Sequence, residues 1–530
     1  MERPHTLIDL NQASDASAVE TFAMQHTASS NQSTRGLAGT YRSLIPSQLP
    51  NPGEQYAFQV DLDKCSACKS CVSACHHMNG LSDEESWRRV QQWFGEKQGE
   101  QWIQTVTSAC HHCVNPECMN GCPVGAYEKN PLTGIVKHLD DQCIGCEYCI
   151  WKCPYEVPRY HESYGIVRKC DMCSERLTNQ VEPACVQACP HDAIRIEIAN
   201  QDELIHAGTS RGVSKKGLYP GAPASSITLP SSSYLSKRPL RKAHWTRIDT
   251  STASGKPHWP LVWMLLLTQW GIGILTAHFI QMGPSGTDKP TPYGIPFWAG
   301  TLLILGGLMA SFFHLGQPGK AWRFFLGLKT SWLSREILLF NTLAACLLVG
   351  CLDSVAHVIP VHLETIYATT VVLCGWLSVL TSAMIYHDTK RSEWAIHRTG
   401  MQFLESLLSG VLICNLYTGF FDSNEGSRTT FTTTFVFLIT FIFIKTLRMT
   451  KQPKEGRIQE KYGSNTMWVH PFILILLMSV GIISNLPAVT GIALALSTGS
   501  LFVLDLIGRL EFFTQSKAPV AEKNIQGGHA

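Results

Sequence analysis

DDQCIGCEYCIWKCPYEVP (140–158) decides how the first half of this chain folds. Its cysteines are Cys143, Cys146, Cys149 and Cys153, spaced x2, x2 and x3, with Pro154 after the last. A loop with a thiol at every third residue can present three thiolates to three irons of one cubane, and the cysteine before proline is carried to a neighbouring cluster. The pattern recurs on both sides. Upstream lie Cys65, Cys68, Cys71 and Cys75, then Cys110, Cys113, Cys118 and Cys122, followed by Pro123. Downstream lie Cys170, Cys173, Cys185 and Cys189, followed by Pro190.

Of the 20 cysteines, these 16 lie between Cys65 and Cys189. Zinc sites typically use two separated C-x2-C pairs, not triads closing on Cys-Pro. A disulfide scaffold needs an oxidising compartment, and the opening MERPHTLIDLNQASD carries no apolar signal segment and no twin-arginine motif. Four [4Fe–4S] clusters are therefore expected.

Strand signals organise the four runs. Ala126 to Lys129 and Ile135 to His138 read as short strands joined by the Asn130–Gly134 turn, so the second and third runs form one two-cluster module. Tyr56 to Leu62 before the first run and Ala193 to Ile198 after the fourth read as strands of a second module, split by insertion of the first. Exchanging the last cysteine within each pair gives four expected ligand sets. They are Cys65, Cys68, Cys71 with Cys189; Cys170, Cys173, Cys185 with Cys75; Cys110, Cys113, Cys118 with Cys153; and Cys143, Cys146, Cys149 with Cys122. Lys69, Lys152, Arg168 and Lys169 lie near enough in sequence to raise cluster potentials by favouring the reduced state. For each of them a solvated surface charge is an equal alternative. No general base or nucleophile is legible here, so the region is expected to move electrons without transforming a substrate.

Beyond about Trp245 the composition changes. Residues 1–50 are a polar, partly disordered extension, 51–200 the cluster domain, and 201–257 a Gly/Pro/Ser-rich linker ending in a basic stretch. Residues 258–515 form a membrane domain, and 516–530 a tail. Eight apolar segments can cross roughly 30 Å of hydrocarbon: 260–282, 295–314, 335–357, 364–386, 399–421, 429–447, 468–487 and 489–510. The expected fold is thus an α+β ferredoxin-like domain with two nested double-cluster modules, fused to an all-α polytopic domain of about eight transmembrane helices.

The formal charge of +2 says little as a total, and no nucleic-acid partner is expected. Its distribution says more. Lys237, Arg238, Arg241, Lys242 and Arg247 precede the first segment, Lys320, Arg323 and Lys329 follow the second, and Lys390, Arg391 and Arg398 follow the fourth. Arg448, Lys451, Lys454, Arg457 and Lys461 follow the sixth, whereas the opposite loops offer only Lys289 and Arg428. The positive-inside rule places both termini and the cluster domain on the cytoplasmic side of the inner membrane.

An acidic residue in mid-membrane costs about 2.5–3.5 kcal/mol on insertion scales and needs a reason. His314 ends the second segment and Glu336 opens the third, both on the cluster side. A quinol gives up protons and electrons together, and a His–carboxylate pair beside a cluster suits that release. Glu405 and Asp505 are weaker candidates, for which helix packing serves as well.

The four cysteine stretches, 61–81, 107–130, 140–158 and 168–190, resemble the iron–sulfur subunit of the dimethyl sulfoxide reductase family. FHLGQPGKAWRFF (313–325) and SWLSREI (331–337) resemble its membrane anchor subunit, so the likeness covers roughly residues 55–515. It implies menaquinol as the electron donor, with His314 and Glu336 matching the family's quinol-site residues. It also implies a molybdopterin-containing catalytic partner that reduces the terminal acceptor. Relatives with tryptophan at the second cysteine of the third run hold a [3Fe–4S] cluster, and Cys146 here implies [4Fe–4S] throughout. Fusion of the two subunits and the long N-terminus depart from the family pattern. An exported catalytic partner would demand the opposite topology. Two other readings stand beside this one: the same wire run in reverse in a quinone-reducing dehydrogenase, and a non-redox membrane protein with a zinc-stabilised soluble domain.

Overall fold

Strand β1 (Glu54–Asp61) carries Tyr56, Phe58 and Val60 on one face, the period of a half-buried strand. The computed structural model describes residues 44–83, 85–97, 100–209, 218–219, 222–237, 244–247, 258–282, 293–421 and 487–514. In it β1 pairs antiparallel with β8 (Ile194–Asn200), in a register that opposes Tyr56 to Ile198, Phe58 to Ile196 and Val60 to Ile194. These apolar cross-strand pairs stabilise the ribbon. They bring the start of the first cysteine run beside the end of the fourth. A second ribbon, β4 (Tyr127–Lys129) with β5 (Val136–His138), joins the second run to the third. The Tyr56 N–H donates to the Thr133 carbonyl at 2.9 Å, tying the inner ribbon to the outer.

Two features were not expected. Arg89–Lys97 (β2) and Glu100–Ser108 (β3) form an antiparallel hairpin between the first and second runs. The 201–257 stretch, expected to be a linker, contributes to both sheets. Ser233–Leu235 (β9) adds to β1 in parallel, and His244–Arg247 (β10) pairs antiparallel with β2. Gln201–Thr209 is helical. Neither β9 nor β10 carries an alternating apolar pattern or a turn signal of its own, so only the partner strand reveals it. A last pair, β6 (Arg159–His161) and β7 (Ile166–Arg168), turns at Gly165 with φ +62.

The second half is helical. Trp259–Met282, Ile295–Phe312, Trp332–Ala356 and Val361–His387 are long and apolar enough to cross a membrane. Ile396–Phe421 and Pro487–Thr514 are 26 and 28 residues long and coincide with the expected fifth and eighth segments. The sixth and seventh segments lie outside the described residues, as do residues 1–43, 248–257 and the tail from 515. Trp259–Met282 is the central helix, buried along most of its length. Leu302, Val355 and Ile366 on other helices of this half are exposed, as lipid-facing side chains are. Asp505 accepts a hydrogen bond from Trp270 Nε1 at 2.7 Å, a packing role, and Glu405 is buried within its helix.

The two halves meet along a seam built from the stretches 313–325 and 331–337. Gln317 N–H donates to the Ile144 carbonyl at 3.0 Å and Gly327 N–H to the Pro123 carbonyl at 2.9 Å. Ser331 Oγ donates to the Gly121 carbonyl at 2.7 Å, and Gln317 Nε2 to the Tyr164 carbonyl at 2.9 Å. Where Gly316 passes the β6–β7 turn, a Cβ on Gly316 would collide with the Gly165 backbone, and one on Gly145 would strike the same carbonyl. Only residues lacking a side chain permit this approach.

Gly316→Ala should therefore loosen the seam by about 1–3 kcal/mol, the usual cost of overpacking. Gly319→Ala, which adds a Cβ in open space, should not. Limited proteolysis between the halves checks this, and equal cleavage of the two variants would sink it.

Candidate metal centres

The four cysteine loops share a backbone device. The residue just before the second cysteine of each run is left-handed: Ala67 (φ 63), His112 (φ 38), Gly145 (φ 67) and Met172 (φ 62). Lys69, Glu147 and Cys173, also left-handed, then cap short helices at Ser70–Met78, Tyr148–Lys152 and Ser174–Thr178. Left-handed residues with side chains are uncommon and strained, and they cluster where backbone must wrap a ligand. The reversals aim backbone N–H groups at sulfur. Gly145 N–H donates to Cys143 Sγ at 3.3 Å, and Met172 N–H to Cys170 Sγ at 3.4 Å. Beyond Cys-Pro, Ala126 N–H donates to Cys122 Sγ at 3.2 Å and Ala193 N–H to Cys189 Sγ at 3.3 Å. Such bonds favour the thiolate.

The cysteines gather in four groups. Cys65, Cys68, Cys71 and Cys189 line one pocket. Cys110, Cys113, Cys118 and Cys153 line another. Cys122, Cys143, Cys146 and Cys149 line a third. Cys75, Cys170, Cys173 and Cys185 form the remaining group: burial pushes the Cys75 thiol up to about 12, the charges of Cys185 and Cys173 add to it, and Cys170 in turn feels Cys75 and Cys173. All 16 are free thiols. A single zinc would draw four sulfurs to about 2.3 Å from one point and leave no space among them. Cavities walled by four thiols fit a larger inorganic group, a [4Fe–4S] cubane, which supplies one-electron transfer when bound.

Neighbouring groups touch electrostatically in a row. Burial raises the Cys71 thiol, which also feels Cys185 of the next group. Burial likewise raises Cys170, which feels Cys110 of the group after it. Tyr127, buried, stands between Cys118 of that group and Cys149 of the last.

Buried cations lie along this row. Arg88 lies over the Phe58 ring at 4.7 Å and donates to Thr107 Oγ1 at 3.3 Å. Burial works against its charge, yet Cys185, Cys71, Cys170 and Cys75 together hold it above its ordinary pKa. No signal in the sequence distinguished Arg88; it is legible only once its burial is known. Lys169, expected near a cluster, is buried with Nζ 3.7 Å from Cys110 Sγ. Lys152, also expected there, instead bridges Glu117 to Asp388 Oδ2, the latter at 2.8 Å, across the seam. Arg168 pairs with Glu85 at 3.3 Å, and Lys69 lines the cavity of the first group.

The helix-side candidates sit at the seam. His314 follows the Ile295–Phe312 helix, its Nε2 3.2 Å from the Cys146 carbonyl. Glu336, in the second turn of Trp332–Ala356, is 5% exposed and accepts a hydrogen bond from Ser382 Oγ. His258, which sequence reasoning passed over, stacks edge-on against His314 with ring centroids 5.5 Å apart. Burial pushes Glu147, next to Cys146, up to about 7, and Glu162 adds to it.

Comparison with known proteins agrees with this division. Residues 101–198 match the family of 4Fe–4S dicluster domains, and residues 252–459 match the dimethyl sulfoxide reductase anchor subunit family. Over 160 residues the sequence is 38% identical to the B subunit of anaerobic dimethyl sulfoxide reductase from Haemophilus influenzae, covering 28% of this chain and 77% of that protein. It is 38% identical over 148 residues to the same subunit of Escherichia coli, covering 26% and 72%. The iron–sulfur subunit of nitrate-inducible formate dehydrogenase from Escherichia coli is 31% identical over 198 residues, covering 33% of this chain and 66% of that subunit.

Lys152→Met should leave Glu117 and Asp388 facing one another without their shared cation. Breaking a buried pair costs about 3–5 kcal/mol, and the partial exposure of both carboxylates (19% and 23%) reduces that to about 2–3 kcal/mol. Denaturant-induced separation of the halves would show it, and an unchanged midpoint would count against the bridge.

Proposed function

Since the chain belongs to the dimethyl sulfoxide reductase family, as an iron–sulfur subunit fused to a membrane anchor, we propose that it oxidises menaquinol and delivers electrons through four [4Fe–4S] clusters to a separate molybdopterin-containing catalytic subunit. The ligand sets are Cys65, Cys68, Cys71 and Cys189; Cys75, Cys170, Cys173 and Cys185; Cys110, Cys113, Cys118 and Cys153; and Cys122, Cys143, Cys146 and Cys149. Their grouping around common spaces supports two nested modules, and their electrostatic row supports a wire in that order. Arg88 and Lys169 hold positive charge beside the sulfurs, which favours the reduced state.

One observation carries the quinol reading: His314, on the helix side, lies within hydrogen-bond distance of the Cys146 carbonyl, on the loop of the last cysteine group. An electron acceptor and a proton acceptor therefore adjoin. His314 takes a proton as the quinol is oxidised, and buried Glu336, held by Ser382, orients or takes the second. Lipid surrounds about eight helices, six of them described. The basic loops that include Arg323 and Arg391 share the seam face with the cluster domain, where Arg323 Nη2 donates to Gln142 Oε1 at 3.0 Å and Arg391 lies 3.6 Å from Glu156. By the positive-inside rule that face is cytoplasmic.

The reverse direction, a dehydrogenase feeding the quinone pool, is favoured by the formate dehydrogenase relative. Cluster potentials measured against the quinone pool separate the two. A zinc-stabilised domain predicts near-stoichiometric zinc and no iron, whereas the cluster reading predicts iron and acid-labile sulfide in equal amounts.

Replacing Cys189 with Ser should perturb the EPR signal of the cluster held by Cys65, Cys68 and Cys71. Loss of the Cys170-group cluster instead would overturn the assignment. His314→Ala should slow menaquinol-analogue oxidation by about 10²–10⁴-fold, the usual worth of a positioned acid–base group, with all clusters retained. Full activity would remove His314 from the site. In oriented vesicles, cleavage of the cluster domain from the periplasmic side would overturn the cytoplasmic placement.

A further inference from the structure

Glu147, His258 and His314 come from three separate parts of the chain: a cluster loop, the residue before the first membrane helix, and the turn after the second. One ligating atom from each falls within 4.8 Å of the others, and all three side chains are partly buried. We propose that they form a binding site for a divalent transition-metal ion of the zinc class, at the seam between the cluster domain and the helices. The site is distinct from the sixteen cysteines.

The donor set suits such an ion. Two imidazoles and one carboxylate are the borderline nitrogen and oxygen ligands that zinc takes, and three protein ligands leave a fourth position for water. Hard ions such as magnesium and calcium prefer all-oxygen shells. The Cys146 carbonyl can only accept, so its 3.2 Å contact with His314 Nε2 places the ring proton there and leaves the Nδ1 lone pair free for a ligand. A hydrogen bond of this kind, from the ring nitrogen that does not hold the ion, orients metal-binding histidines. His258 also packs edge-on against Trp151 at 5.1 Å, so both imidazoles already have packing partners before any ion arrives. Glu147 stands at the left-handed backbone position (φ 56) that opens the Tyr148–Lys152 helix.

The consequence deepens the quinol reading and rests on it for that part alone. An ion held by His314 removes its free lone pair, so zinc should inhibit quinol oxidation while leaving electron transfer among the clusters intact.

The test uses the full chain, purified anaerobically with its clusters intact and titrated with zinc chloride. Equilibrium dialysis should show one zinc per chain above any background. Glu147→Gln and His258→Gln should each weaken it at least about ten-fold, the lower bound for losing even a group that only supports a ligand, with iron content unchanged. X-ray absorption at the zinc edge should give a nitrogen/oxygen shell at about 2.0–2.1 Å. A sulfur shell at about 2.3 Å, or equal zinc affinity in the parent and both variants, overturns the site. If either variant fails to accumulate, the absorption shell of the parent protein still decides. Zinc bound with this shell but without inhibition keeps the site and removes the quinol reading of His314.

Discussion

The junction between the two halves of this molecule depends on how closely two pieces of backbone approach each other. The Gly316 turn of the anchor lies against Gly165 and Gly145 of the cluster domain with no side chain between them. That contact lets the Cys146 loop reach the end of a membrane helix, where His314 meets its carbonyl. Hydrogen bonds from Gln317, Gly327 and Ser331 to cluster-domain carbonyls fix the register of the approach. Polar satisfaction and steric permission act on the same few residues, so the seam specifies one orientation.

Charge is managed along the same axis. Sixteen thiolates in a small domain would repel one another and be expensive to bury. Arg88 and Lys169 are buried among them, and backbone N–H groups released by left-handed residues point at sulfur. Strain in the loops is thus offset by electrostatic stabilisation at the metal centres, as is common where backbone wraps a ligand. Lys152 does a different job, carrying charge across the seam to Asp388.

Much of this was legible in the sequence. The four cysteine runs are legible from their spacing alone, because the chemistry dictates the spacing. Strands β1, β4, β5 and β8 showed themselves by alternation and turns, and the first four long helices by apolar length. What stayed hidden shares one cause, non-local pairing. Strands β9 and β10 have no periodicity of their own within a Ser/Pro-rich stretch. Hairpin β2–β3 is diluted by Gln91, Gln92 and Gln104. Arg88 looks like any surface arginine until its neighbours are known. His258 reads as a membrane-edge residue, and nothing local places it beside Glu147. The motifs at 313–325 and 331–337 were visible as family resemblance, but their use as a docking face was not.

The strand β10 ends at Arg247 and the first membrane helix begins at Trp259, with His258 already at the seam. Eleven steps of chain can span no more than roughly 40 Å. A tether that short holds the two halves at an effective concentration on the order of millimolar. The fused seam can therefore be modest in area and rich in backbone polar contacts, where two separate subunits would need a tighter interface to stay paired. Fusion also fixes the stoichiometry of the cysteine-rich half to the helical half at one to one, so neither is made without its counterpart.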